Sequence, residues 1–189
     1  MPDNRHTEEK SRSQKQKNSL KSFKQIIQLG KFLFRYRAII ATPFFILLVI
    51  LSKPTNVLTS AIISSLIGIG IRIWAAGYIG VEARSTKFSG QFVITNGPYK
   101  YLKHPLYLGN FFLILGIIIL FNPAVWFALL LIFLFIFEYS IIILSELDYL
   151  KNLPKKKAKL KFTNCRAEIS TIVIMLLIFL IYLGKWKLS

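Results

Sequence analysis

Apolar residues come in long runs along this chain, and polar residues gather between the runs. Residues 38–51 are apolar, and Phe32, Leu33 and Phe34 extend the run backwards. A helix crossing a bilayer core needs about 20 mostly apolar residues. This run reaches that length if Arg35 and Arg37 extend their charged heads toward the headgroups. After a turn at Ser52–Asn56 with the helix-stopping Pro54, residues 57–80 form a comfortable span. Its small residues, Ala61, Ser64, Ser65, Gly68, Gly70, Ala75, Ala76 and Gly77, suit close helix packing in lipid. Residues 81–96 are the longest polar connection between the apolar runs. Then follow apolar runs at 106–121 and 124–144, separated only by Asn122-Pro123. So short a turn requires an antiparallel helical hairpin. A final apolar run, 169–183, is short for a span and either crosses the membrane or lies in its interface. There is no internal repeat and no strand-like alternation. The pattern predicts an all-α, multi-pass membrane bundle of about five transmembrane helices.

Composition strengthens this reading. Hydrophobic residues make up 54% of the chain, above the roughly 45–50% of soluble domains. The formal net charge of +17 is unevenly placed. Residues 1–31 are a basic polar tail, expected to be disordered or loosely helical, since such a composition buries too little to offset ordering entropy. A membrane domain of 32–168 and an additional C-terminal apolar helix of 169–189 complete the expected organisation. Basic tails bind polyanions, but beside a membrane domain anionic lipid headgroups are the simpler partner than nucleic acid. With the tail in the cytoplasm, the outer loops carry only Lys53 before the C-terminus, and the 81–105 loop and the lysine-rich 151–166 segment both face the cytoplasm. The expected location is an integral, multi-pass one, in a bacterial inner membrane or an endoplasmic-reticulum-type membrane. Cys165 is the sole cysteine, so no intrachain disulfide or cysteine metal site is available, and His6 and His104 alone make no metal centre.

Ionisable residues inside spans need partners. For Arg72 the candidates are Glu138 and Glu146, the alternative being that it reaches out to headgroups. The densest chemistry is Gly97-Pro98-Tyr99-Lys100-Tyr101-Leu102-Lys103-His104-Pro105-Leu106-Tyr107-Leu108-Gly109, at the mouth of a span. Pro105 fits the first turn of a helix. His104 then sits beside unpaired backbone N–H groups that favour anions. Tyr99, Tyr101 and Tyr107 offer flat faces with polar tips, suited to an interface belt or to flanking a heterocycle. Taken singly, each of these residues has an ordinary structural explanation; the combination is the signal.

This combination resembles the G-x-Y…R-H-P-x-Y-x-G signature of the isoprenylcysteine carboxyl methyltransferase and phospholipid methyltransferase group. Arg72-Ile73-Trp74-Ala75 is similar to a pattern on that group's preceding span, and Glu146 with Leu150 resembles its E-E-x-x-L element. The resemblance runs from about Gly68 to Leu150. It implies a membrane enzyme using S-adenosyl-L-methionine, with Gln91, Phe92, Val93, Ile94, Tyr99, Lys103, His104, Pro105, Leu106, Tyr107 and Glu146 contacting the cofactor. His104 and Glu146 are the implied catalytic residues, and a membrane lipid or lipidated molecule is the implied acceptor.

The departures bear on the acceptor. Lys103 replaces the arginine, Leu147 the second acid, and Ile142 the arginine assigned to substrate in the prenylcysteine enzymes. The usual F-G-x-x-Y segment gives way to Lys151–Lys161. O-methylation of an anionic headgroup, such as a lipid phosphate like that of lipid A or a carboxylate, is the expected reaction. Prenylcysteine carboxyl methylation and phosphatidylethanolamine N-methylation are the alternatives. Other classes are an NADPH-dependent steroid-reductase-like enzyme, disfavoured by Leu106 and Asn110, and a non-catalytic membrane scaffold. Oligomeric state stays open. The predicted topology is testable: a cysteine at Asn122 should react with impermeant reagent from outside and one at Ser89 should not. Labelling of Ser89 from outside would reverse the assignment.

Overall fold

The apolar runs fold as helices; the turn expected around Pro54 lies outside the described residues. The computed structural model describes residues 4–53, 58–86 and 88–188. Helix α1 runs Asn4–Leu51, so the basic tail and the first span are one continuous 48-residue helix. Helix α2 is Leu58–Ile79, followed by a 3₁₀ turn, Gly80–Arg84. A two-residue strand β1, Val93–Ile94, precedes the short α3, Pro98–Tyr101. Helices α4, Pro105–Phe121, and α5, Val125–Leu150, form the expected hairpin. Strand β2, Lys155–Lys156, a 3₁₀ segment, Phe162–Glu168, and α6, Ile169–Leu188, complete the chain. Among the described residues, four helices are long and apolar enough to cross a membrane, with α4 a shorter apolar fifth. Their outward faces expose large apolar side chains such as Ile63, Leu66, Phe133 and Leu180, as lipid contact requires.

Small residues decide the tightest contact. Between α2 and α4, a Cβ added to Gly68 would lie 2.8 Å from the Gly109 carbonyl oxygen, and one on Gly116 would lie 3.0 Å from that of Ala61. Ser64 closes the contact by donating to the Phe112 carbonyl at 2.8 Å. Helices approach this closely in lipid because dispersion between backbones replaces the missing hydrophobic drive.

At the turn end, Asn122 takes the left-handed conformation that ends α4, with φ of 40°. Lys53 N–H donates to the Phe121 carbonyl at 3.1 Å, tying the chain after α1 to the hairpin. The last helix reaches this end as well. Lys185 donates to the carbonyls of Val49, Ile50 and Ser52, satisfying orphan acceptors at the α1 terminus. Met175, Ile178 and Tyr182 are buried in one cluster with Leu48, Ala61, Leu120 and Phe121. The helix thus packs into the bundle, and the stretch that contains it is long and apolar enough to cross a membrane.

At the opposite end, β1 pairs in parallel with β2, Val93 with Lys155 and Ile94 with Lys156. Two-residue strands are too short to show alternation, so the pattern of apolar positions could not announce them. Asn96 extends the pairing with both amide atoms, donating to the Ala158 carbonyl at 2.7 Å and accepting from its N–H at 2.8 Å. The lysine-rich segment thus holds the 81–97 loop in place. Gly68→Val should force α2 from α4 and lower stability by about 1–3 kcal/mol. Gly70→Val, where nothing lies within 4 Å of the added Cβ, should be neutral. Equal thermal melting of the two variants in detergent would contradict this packing.

Candidate active site

The ordered loop end of the bundle encloses a cavity with about 940 Å³ of empty space, its open mouth included. Helix α1 supplies Phe34 and Arg37, α2 supplies Arg72 and Ile79, and α5 supplies Glu146, Tyr149 and Leu150. The loop after α2 forms the cover. It is pinned by the Tyr149 hydroxyl, which donates to the Gly90 carbonyl at 2.9 Å, and by Phe88, whose ring packs against Phe34 and Tyr149. Gly97 makes the turn into α3 at φ of 62°, with its α-carbon against the Tyr78 ring, where no side chain fits.

Pro105 starts α4 as expected, with His104 at the position before it. Its ring stacks on Tyr107, with centroids 5.5 Å apart and planes 11° from parallel. His104 Nδ1 lies 2.9 Å from Glu146 Oε2, within ion-pair distance but without the alignment of a hydrogen bond. The result is a concentration of unmet polar demand. Tyr99 Oη, His104 Nε2 and Glu146 Oε2 are all buried without a hydrogen-bond partner, although native structures pair the large majority of such atoms. Burial, and then the charge of Glu146, push the Tyr99 hydroxyl above its ordinary pKa, so it remains a donor. A donor, an acceptor and an imidazole beside aromatic faces can hold a polar molecule carrying a ring and charged groups.

The membrane-side wall is stiff. Arg72 makes a bidentate pair with Glu168, Nε to Oε2 at 2.7 Å and Nη2 to Oε1 at 2.9 Å. The same guanidinium donates to Asn110 Oδ1, and Asn110 Nδ2 donates to the Tyr139 hydroxyl at 2.8 Å. Thr171 donates to Glu168 Oε2 at 2.8 Å. Arg72 is thus paired with neither Glu138 nor Glu146, the partners expected for it. Glu168 stands 96 residues away, at the start of a run with no motif, and no spacing could have pointed to it.

Of the residues singled out in the sequence, Phe92, Val93, Ile94, Tyr99, Lys103, His104, Pro105, Leu106, Tyr107 and Glu146 line the cavity together. Gln91 is exposed and does not line it. Sequence reasoning missed Arg37, Glu82, Phe88 and Tyr149; only Arg37 carried a signal, as a cation at the edge of an apolar run. Lys151, Lys155, Lys156, Lys157, Lys159 and Lys161 are exposed and do not line the cavity, and Lys156 Nζ lies 4.5 Å from the centroid of the ring of Phe92, which does.

The family model for phospholipid methyltransferases matches residues 56–156, which run from the start of α2 to β2 and include every loop and helix that frames the cavity except α1. The chain belongs to the phospholipid methyltransferase family. That places it among membrane methyltransferases acting on lipid. No curated protein and no solved structure matches the chain. In this phospholipid methyltransferase family member, Glu168 and α6 lie outside the matched stretch.

The buried pair makes a prediction. Arg72→Met leaves Glu168 buried and unpaired, which should cost about 3–5 kcal/mol of stability. Adding Glu168→Leu to the same chain should recover much of that loss. Melting temperatures of the single and double variants decide it, and an unimpaired Arg72→Met would contradict the buried pair.

Proposed function

We propose that the chain is an S-adenosyl-L-methionine-dependent methyltransferase that methylates an anionic lipid headgroup, from a cavity facing the cytoplasm. The observation that carries this reading is the set of three buried polar atoms, on Tyr99, His104 and Glu146, that make no hydrogen bond among the described residues and meet at one cavity. Such atoms fit a ligand that brings its own hydrogen-bonding groups. The Glu146 carboxylate would meet a cationic group, the Tyr99 hydroxyl would donate, and Phe92 and Tyr107 would flank a ring. S-adenosyl-L-methionine, when bound, supplies a methyl group on a sulfonium, an electrophile needing no activation by the protein.

What remains for the chain is alignment and exclusion of water. The Tyr149–Gly90 bond and the β1–β2 pairing hold the loop over the cavity, and α1 closes its far side. The exposed lysines of the 151–161 segment would concentrate anionic headgroups nearby. A phosphate oxygen that is already ionised gives up no proton on methylation. A second reading, transfer to a lipid amine, is favoured by Glu82 and Glu146, two acids that line the interior where none of the lysines from 151 to 161 does. An amine must shed a proton, and His104 beside Glu146 is the group positioned to take it.

Labelled donor with a lipid extract tests the proposal: label should enter lipid, in an O-methyl phosphate for the first reading and in an N-methyl group for the second. Absence of lipid label, or binding of NADPH in place of S-adenosyl-L-methionine, would overturn the reading. Glu146→Gln and His104→Ala should each reduce turnover by about 10²–10³, the cost of losing one transition-state contact, while melting of the free protein stays near that of the parent. Near-normal turnover in either would remove that residue from the site.

A further inference from the structure

We infer that Arg37 is the anchor for the acceptor's phosphate, an inference that rests on the methyltransferase reading and names its lipid subsite. Two arginines line the cavity. Arg72 is fully engaged by Glu168 and Asn110. Arg37 makes no hydrogen bond or ion pair among the described residues. Its guanidinium carbon sits 4.4 Å from the centroid of the Phe34 ring. An unpaired guanidinium at the edge of a membrane span is costly unless something pairs with it.

Three observations point to a phosphate on a lipid. The residue stands where α1 changes from polar to apolar, the level at which a span would meet lipid headgroups. The planar fork matches a phosphate bidentately, and the cation is held from one side by an aromatic face, leaving its donors free. Finally, the cation lies in the same cavity as His104 and Glu146, so a phosphate held there puts the headgroup within the enclosed space. Neighbouring Arg35 supplies the contrast. It is exposed and does not line the cavity, so it serves as a plain interfacial cation.

The test is binding, with turnover as a separate readout. Short-chain phosphatidic acid, phosphatidylethanolamine, diacylglycerol and inorganic phosphate are titrated into the detergent-solubilised full chain, following protein melting and intrinsic fluorescence. The parent should bind the phosphate-bearing lipids and not diacylglycerol, and should bind inorganic phosphate far more weakly. Arg37→Gln should weaken lipid binding about 10- to 100-fold, the loss expected for a charge-assisted bond. Arg37→Lys should recover part of it, and Arg35→Gln should match the parent. With labelled donor, Arg37→Gln should raise KM for lipid and leave S-adenosyl-L-methionine binding unchanged. Equal lipid binding by Arg37→Gln and the parent, or equal binding of diacylglycerol, would overturn the inference. Phosphate-dependent lipid binding without methyl transfer would instead overturn the methyltransferase reading and leave the anchor in place.

Discussion

A guanidinium buried between helices must be matched donor by donor, and Arg72 is the point at which this bundle meets that demand. Its partners come from three other parts of the chain: Glu168 from the segment leading into α6, Asn110 from α4, and through Asn110 the Tyr139 hydroxyl of α5. Around this centre the helix packing is made possible by what is absent. Gly68 and Gly109 bring α2 and α4 to backbone contact one turn away, and a larger residue at either would move the guanidinium relative to Asn110. Polar matching and steric closeness thus fix the same pair of helices at the same level.

The two ends of the bundle are built on different terms. At the turn end, closure is local: Asn122 reverses the chain, and the Lys53 N–H and the Lys185 amine donate to carbonyls left over by helix termini. At the cavity end, closure is long-range. The loop after α2 is held by β2, by Ala158 and by Tyr149, all more than fifty residues downstream. That arrangement leaves polar atoms of Tyr99, His104 and Glu146 at the cavity without a hydrogen bond among the described residues, Glu146 having only the His104 ring at ion-pair distance. A scaffold satisfied almost everywhere else makes these exceptions chemically pointed.

What was legible in the sequence divides along the same line. Helix positions and the hairpin follow from apolar run length and from Asn122-Pro123, because lipid-facing helices must satisfy their backbone internally and so advertise themselves in composition. The cavity wall from Phe92 to Tyr107 was legible because its residues lie close together along the chain and carry a motif. Glu168 and Tyr149 were not, since their roles depend on which helix faces which, a property with no local pattern; Arg37 showed only as a cation at the edge of an apolar run. Gln91 lies inside a stretch of loop that lines the cavity, but is itself exposed and outside the lining. The lysine-rich segment in the place of the family's usual aromatic one proves to be a strap, its backbone pairing with β1 while its charges stay outside.

The separation between Arg72 and Glu168 also has a meaning in time. The chain is synthesised from its N-terminus, and 96 residues lie between the arginine and the acid that pairs with it. At ribosomal rates of about 5–20 residues per second, α2 exists for roughly 5–20 s before its partner emerges. During that interval a charged side chain sits within a newly made apolar segment and nothing in the nascent chain neutralises it. Until the segment carrying Glu168 is made, α2 can relieve its arginine only by drawing it to the headgroups. The buried form of the pair therefore belongs to a late stage of assembly, set by the order in which its two halves are synthesised.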